Sequence, residues 1–487
     1  MALSFIIATA CIASGLSLFV KKNPSTGSEW RALGMIAILA SLGELTATVI
    51  AVAAVVKNGS YASAVYFSID SLGAILLILV AVIGFIVSWY SVGYLKAEVA
   101  KNIIGFSRVR QYFILLHLFL FAMFFAIITP NPIMMWIAIE ATTLSTAFLI
   151  SFYNKPSAME AAWKYLILNS VGLLLGFFGT LLFLYPSLQA GQEGLITWHS
   201  IRANVAGFDP FVVKIAFIFI LIGYGTKMGL VPMHTWLPDA HSKAPVPISG
   251  LLSGVLLNIA FLAILRFKSV VDLAVGRDFS QELLIFFGIV SILVSAFIIF
   301  IQKNYKRLLA YSSIEHMGVM ALGFGFGGLG ASAALLHMIY HSLAKSLLFL
   351  SSGHIFLKYS STKILLVKGV MSVLPFTGVS FIIGFLAITG IPPFGIFITE
   401  FSILSAGIQN HPIVTLMALF GLTLVFIGFF RHTVAMIFGE NETGMQPGEA
   451  GAWTMAPVVI LAVMLTVTSF YVPSFLALLI NAASVAH

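Results

Sequence analysis

The chain has 487 residues, of which 60% are hydrophobic and only 9% charged, with a formal net charge of +8. That balance excludes a soluble globular domain and a disordered chain, and it calls for a protein that crosses a membrane many times. The surplus of Lys and Arg is first a matter of membrane topology, and no basic run points to nucleic acid.

In chain order, apolar runs fall at 3–20, 33–56, 70–92, 112–129, 133–152, 159–186, 211–231, 245–266, 283–302, 308–326, 331–357, 374–408, 412–438 and 455–480. Runs of this length predict helices rather than barrel strands, hence an all-α polytopic protein with about 14 transmembrane helices. The first, MALSFIIATACIASGLSLFVKK, lacks the basic start and short apolar core of a cleaved signal and reads as a permanent span. It holds Cys11, the only cysteine. Disulfides and thiolate-held clusters within the chain are thereby excluded, so no cofactor is expected here and any redox centre belongs to a partner.

Assigning loops alternately gathers seventeen Lys and Arg on one face, among them Lys22, Lys96, Lys101, Lys155, Lys243, Lys306 and Lys358, against six on the other. The positive-inside rule then makes the rich face cytoplasmic and puts both termini on the opposite side of an inner (cytoplasmic) membrane. The stretch from Tyr185 to Pro210, with Gln189, Glu193, His199, Arg202 and Asp209, is the longest polar interruption.

Two spans are broken. In the seventh, Lys227 precedes Val231-Pro232 and Trp236-Leu237-Pro238; in the twelfth, Thr389-Gly390-Ile391-Pro392-Pro393 precedes Gly395 and Glu400. Proline removes a backbone donor, so the freed carbonyls must face protein or water. Interrupted spans in matching places suggest two inverted five-helix repeats around helices 7 and 12. The expected organisation is residues 1–111 (helices 1–3), 112–266 (first repeat, helices 4–8), 283–438 (second repeat, helices 9–13) and 455–487 (helix 14).

Ionisable groups inside spans are functional candidates, because burying each costs roughly 2.5–3.5 kcal/mol on insertion scales. Glu140 lies about 12 Å of helix rise into the fifth span, with Lys227 its natural partner. A static helix–helix ion pair is the plainer alternative. His337, His341 and Lys345 recur every four residues on one face of the eleventh span and make a plausible row of proton stations. Two histidines at this spacing also suit zinc, but no HExxH acid accompanies them and Lys345 repels a cation, so no metal is expected. Glu400 would end the row, and His316 would bridge Lys227 to His337 or His341. Secondary candidates are Glu315, Asp239 with His234 and His241 at the break, and Lys164, which either snorkels or modulates Glu140. Asp239 either opens a proton path or caps the next helix. Glu44, mid-span in helix 2, stands apart from this set.

The stretches KMGLVPMHTWLPDAHSKAPVPISGLLSGVLLN, AYSSIEHMG, HMIYHSLAKSLLFLSSG and GIPPFGIFITEF together resemble the antiporter-like proton-pumping subunits of complex I, Mrp-type cation/proton antiporters and group 4 [NiFe]-hydrogenases. The resemblance covers about residues 60–440 and implies fourteen helices, two inverted repeats and a buried Glu/Lys/His axis that moves protons. On that likeness Glu140, Lys227, Lys345 and Glu400 match the family's acid and lysine positions in helices 5, 7, 11 and 12. Asn258 stands where many complex I members have lysine, which shifts the relay onto His316, His337, His341 and Lys345 and is similar to the F-type subunit of hydrogenase-4 and formate hydrogenlyase. Implied partners are other membrane subunits and peripheral redox subunits with Fe-S and Ni-Fe centres, besides the lipid bilayer; a complex I pumping subunit or an Mrp-type Na⁺/H⁺ antiporter subunit is the alternative.

Overall fold

The computed structural model describes residues 1–21, 27–63, 66–189, 196–441 and 444–486. Lys22 and Glu193 lie outside the described residues. Twelve described helices are long and apolar enough to cross a membrane. They are span 1 (Ala2–Phe19), span 2 (Ser28–Asn58), span 3 (Ser71–Ala100), span 4 (Phe106–Ile128), span 5 (Pro132–Ile150), span 6 (Pro156–Gln189), span 7 (Pro210–Met228), span 8 (Val246–Val275), span 9 (Arg277–Phe300), span 11 (Leu329–Tyr359), span 13 (Pro412–Phe438) and span 14 (Ala452–Phe470). Two more complete the expected fourteen. Span 10 (Tyr305–Phe326) carries Lys306, Arg307, Glu315 and His316, which lower its hydropathy, and span 12 consists of two short halves, Pro375–Ile388 and Gly395–Gly407.

Helix ends depart from the apolar runs mostly by outgrowing them, because a helix continues into the polar interface for as long as its backbone can be capped. Span 3 runs to Ala100 and is capped at its start by Asp70, whose side chain accepts from Gly73 N. Asp70 also closes a two-stranded hairpin, Ser60–Ala62 with Ser68–Asp70, in antiparallel register. The run 455–480 is not one helix. It stops at Phe470, and a separate helix starts at Ser474 after Pro473, whose ring cannot continue the preceding turn.

Residues expected on the basic face do meet there although they come from distant loops. Lys155, Lys243 and Lys306 line one cavity; Lys96, Lys101 and Lys358 line another. On the opposite face Arg266 donates to Asp70 at 2.8 Å and Lys268 pairs with Asp272 at 2.5 Å.

Both expected breaks are present. Span 7 ends at Gly229 (φ 87°), a short helix Trp236–Lys243 follows, and the Thr226 carbonyl accepts Trp236 Nε1–H at 2.8 Å. The Val231 N–H, freed by the same break, donates to Ser291 Oγ of span 9 at 3.0 Å. Span 8 contains one π-helical turn, Leu252–Leu256, which its sequence does not announce. Such turns concentrate at functional positions.

Close helix approach fixes where the seventh-span lysine sits. A Cβ on Gly223 would lie 2.3 Å from the backbone nitrogen of Gly176, so spans 6 and 7 cross in backbone contact. Gly223→Val is expected to force them apart and to cost about 1–3 kcal/mol as an overpacked core does. Its thermal unfolding midpoint in detergent checks this; an unchanged midpoint contradicts the crossing.

Candidate functional site

The site is built from two polar clusters inside the helix bundle. In the first, Lys227 is fully buried and its Nζ donates to Thr143 Oγ1 at 2.8 Å and to the Tyr165 hydroxyl at 2.6 Å. The ammonium also stands 4.8 Å from the centre of the Tyr165 ring. Glu140 accepts from Ser170 Oγ at 2.7 Å, and Thr143 Oγ1 lies 3.5 Å from its other oxygen. Lys227 and Glu140 therefore form no direct ion pair, contrary to the simplest expectation. They act on each other electrostatically, with Thr143 inserted between them. The reason is geometric: Thr143 lies one helical turn after Glu140 on span 5 and presents the nearer oxygen.

The second cluster joins spans 10, 11 and 12. Lys345 is fully buried and donates to the Leu309 carbonyl at 2.8 Å and to Ser312 Oγ. One turn earlier on span 11, His341 faces His316 with ring centres 5.2 Å apart, and neither of its nitrogens has a hydrogen-bond partner among the described residues. His316 Nδ1 lies 3.0 Å from His337 Nε2, and His316 Nε2 lies 3.0 Å from the Ile388 carbonyl. A carbonyl only accepts, so Nε2 carries the hydrogen. In the neutral ring Nδ1 is then the acceptor, and His337 Nε2–H must donate to it. His337 Nδ1 is left facing Thr399 Oγ1 at 2.9 Å.

Thr399 has one hydroxyl hydrogen and two acceptors to choose from, since the Ile396 carbonyl is also 2.9 Å away. With His337 neutral the hydroxyl turns to Nδ1. With His337 protonated, Nδ1–H donates to the threonine oxygen and the hydroxyl turns to Ile396. The hydrogen-bond row thus has two consistent settings that differ by one proton.

Glu315 is buried at the centre of span 10 with no hydrogen bond on either oxygen among the described residues, and its Oε2 is 3.3 Å from His316 Nε2. That N–H is aimed at Ile388, so the contact is a close approach rather than a hydrogen bond. Glu400 closes the cluster: its carboxylate folds back over Gly390 (φ 64°), where a Cβ would lie 2.2 Å from Oε2. Ligand atoms of His316, His337 and Glu400 lie within 4.8 Å of one another, so the trio has the reach of a metal site. The ring nitrogens of His316 and of His337 are already matched to hydrogen-bond partners, which suits proton exchange better.

Other expected residues fall at the edges. Asn258 donates to the Gly254 carbonyl at 3.1 Å, within the π turn, and to Ser342 Oγ at 2.9 Å, tying span 8 to span 11. His241 is fully buried and stacked on Phe349, with neither nitrogen in a hydrogen bond of good geometry among the described residues, and it is within electrostatic reach of Lys306 and Lys345. His234 packs its ring near Tyr311. Asp239 does not cap the following helix; it pairs with Arg307 and, at 3.6 Å, with Lys164. Lys164 is half-exposed and bonded to Glu160 at 2.6 Å, one turn away on the same helix, with no contact to Glu140. Glu44 is buried with Oε1 unpartnered, on a helix remote from both clusters.

Sequence reading passed over Thr143, Tyr165, Ser170, Thr399, Glu98 and Lys306. Hydroxyl residues are common in spans, so nothing marks these four until the fold brings them to Lys227, Glu140 or His337. Glu98 did leave a signal, an acid at the end of an apolar run. It is buried, accepts from the Tyr153 hydroxyl at 2.6 Å and feels Lys306 and Lys155, beneath a cavity of about 210 Å³ lined by Tyr94, Tyr153 and three lysines.

Comparison with known proteins places these features in a family. Residues 129–428 match the NADH:quinone oxidoreductase/Mrp antiporter transmembrane family, and 55–102 match the family of the N-terminus of complex I chain 5. The chain is 39% identical over 385 residues to a hydrogenase-4 component F homolog of Methylacidiphilum infernorum, covering 78% of this chain and 81% of that one. It is 29% identical over 407 residues to NADH-quinone oxidoreductase subunit L of Mycobacterium tuberculosis, covering 81% of this chain but only 61% of that longer protein. Among solved structures, a chain of the archaeal membrane-bound sulfane sulfur reductase superposes with a TM-score of 0.87 at 22% identity, covering 99% and 97% of the two chains. One of the Mrp complex from Dietzia superposes at 0.82 and 19% identity, covering 99% and 96%. At these identities the likeness is one of fold.

The phenol of Tyr165 is expected to be an acceptor that the buried ammonium requires. Tyr165→Phe keeps the ring and should cost about 1.5–3 kcal/mol, the range for a hydrogen bond to a charged group. Added to Lys227→Met it should cost almost nothing more, which a double-mutant cycle of unfolding midpoints reads out. Additive losses contradict the pairing.

Proposed function

The chain belongs to the NADH:quinone oxidoreductase/Mrp antiporter family of membrane subunits, and from that premise we propose that it translocates protons as one subunit of a redox-driven complex of the group 4 [NiFe]-hydrogenase or formate hydrogenlyase type. The observation that carries this reading is the fully buried His337–His316 pair with Glu315 and Glu400 beside it, a chain of exchangeable protons at the centre of the bundle. Its likeness to a hydrogenase-4 component F homolog supports the choice of complex.

The clusters divide the work. Glu140, Thr143 and Lys227 form the first station. Glu140 and Lys227 face each other across Thr143, so movement of either group resets that arrangement. Lys345, His341, His316, His337 and Glu400, with Glu315, form the second, where a proton passes between ring nitrogens as Thr399 turns its hydroxyl. Glu98, Lys306 and His241 lead in from the basic face, through the cavity beneath Tyr153. Asn258 holds spans 8 and 11 together without supplying a charge.

The two breaks belong to two inverted repeats, spans 4–8 and spans 9–13, between the N-terminal spans 1–3 and span 14. The basic face is cytoplasmic and both termini lie on the far side of an inner membrane, as the positive-inside rule requires. Electron transfer belongs to peripheral subunits with Fe-S and Ni-Fe centres, and the driving push reaches this chain through neighbouring membrane subunits. A secondary Na⁺/H⁺ antiporter subunit is the competing reading, favoured by the shared fold with a chain of the Mrp complex.

Lys227→Ala should lower proton movement in proteoliposomes at least about tenfold, the loss expected for one relay group, while the complex still assembles. Unchanged movement contradicts the relay. Movement that needs sodium and no electron donor would assign the antiporter role. A co-purifying large subunit with paired CxxC motifs supports the hydrogenase assignment, and quinone and NADH modules alone would replace it with complex I.

A further inference from the structure

On the basic face, away from both clusters, two cavities join at Gly93, Lys96 and Trp453. The inner one, about 510 Å³, is walled by Lys96, Lys101, Lys358, His354 and the first turn of span 14. The outer one, about 660 Å³, is an almost wholly apolar groove between spans 2 and 3, with Gly34, Met35, Ile38, Leu39 and Val92 along it and Arg31 at its head. Cations thus cluster at one end of a groove whose remainder offers only hydrocarbon.

Three features give the inner cavity the character of an anion site. Span 14 begins at Ala452 with no side chain capping its first turn, so its backbone N–H groups and the positive end of its dipole face the cavity. Glu449, the one carboxylate among the described residues of the wall, is already engaged: it accepts from Phe376 N at 2.7 Å, Thr377 N at 3.2 Å and Thr377 Oγ1 at 2.9 Å, at the start of span 12. The third is His354, 1% exposed, whose Nε2 has no partner among the described residues. Thr377 gives its hydrogen to Glu449, so its oxygen, 3.3 Å from His354 Nδ1, can only accept. Nδ1 therefore carries the ring hydrogen, and neutral His354 is left with a bare lone pair on Nε2 in the wall of this cavity. A phosphodiester alone has no hydrogen to offer that lone pair, whereas an alcohol hydrogen on its headgroup satisfies it.

We propose that these joined cavities bind one anionic phospholipid with a hydroxylated headgroup, of the phosphatidylglycerol type. The phosphate lies among Lys96, Lys358 and the start of span 14. A glycerol hydroxyl donates to His354 Nε2, and one acyl chain lies along Gly34, Ile38 and Val92. Trp30 and Trp453, at the rim, take the interfacial position that indoles favour. Basic pockets between membrane helices on the positively charged side recognise anionic headgroups in this way.

The test uses the intact complex extracted from membranes, exchanged into phosphatidylcholine nanodiscs doped equally with phosphatidylglycerol and phosphatidylethanol, an anionic phosphodiester without a headgroup hydroxyl, with bound lipid counted by mass spectrometry. One phosphatidylglycerol per chain should survive exchange. Each of Lys96→Gln and Lys358→Gln, substitutions at the rim outside both polar clusters, should lower retention about fivefold. Gly34→Leu should expel the lipid by filling the groove, and His354→Phe should abolish the preference for phosphatidylglycerol over phosphatidylethanol. Retention unchanged in the lysine variants overturns the proposal. So does inorganic phosphate that displaces the lipid and binds equally well in Gly34→Leu, which would make the site one for a free anion. Proton movement enters none of these readings, so this inference and the relay stand or fall separately.

Discussion

The carbonyl of Ile388 has lost its helical donor, because the residue four places on is Pro392, which has no N–H. A partner outside the helix must supply the hydrogen. His316 does, at 3.0 Å, and much of the second cluster follows from that one bond. It fixes the tautomer of His316, which fixes which nitrogen of His337 donates, which in turn leaves Thr399 as the adjustable end. Span 7 solves the same problem with Trp236, whose indole only donates and never exchanges its proton at neutral pH. One break is therefore closed by a rigid donor and the other by a group able to take part in proton transfer.

At the turn after Lys227 the packing is apolar. Leu237 and Ile314, both fully buried, close on the Gly229 turn beside Lys227, and no hydrogen bond among the described residues links Lys227 to His316. A proton crossing that gap unaided would be an isolated charge in hydrocarbon, at a cost of several kcal/mol. Such a barrier suits a machine in which transfer must wait for a conformational push. An open wire from one face to the other would simply leak.

The architecture was legible because hydrophobic runs of about 20 residues and proline-broken spans are strong signals. Fourteen spans, the breaks in the seventh and twelfth, and the ionisable residues of the second cluster could all be named in advance. What stayed hidden was local chemistry. Thr143 stands between Glu140 and Lys227 because of side-chain reach across two helices, and nothing in its one-dimensional setting distinguishes it from Thr142. Lys306 looked like an ordinary interfacial lysine until the fold buried it against the Ala244 carbonyl at 2.8 Å. The π turn in span 8 left no trace in composition. Glu400 was placed at the end of a row beyond Lys345, but Gly390 lets it fold back beside His316 and His337.

The most direct test of proton transfer along this row is the number of protons moved per driving event in vesicles carrying the whole complex, with Glu315→Gln as the probe. The substitution preserves shape and burial while removing the titratable carboxyl group beside His316. The account predicts that the ratio falls by this chain's share while assembly and electron flow persist. A ratio equal to that of the unaltered complex would contradict it.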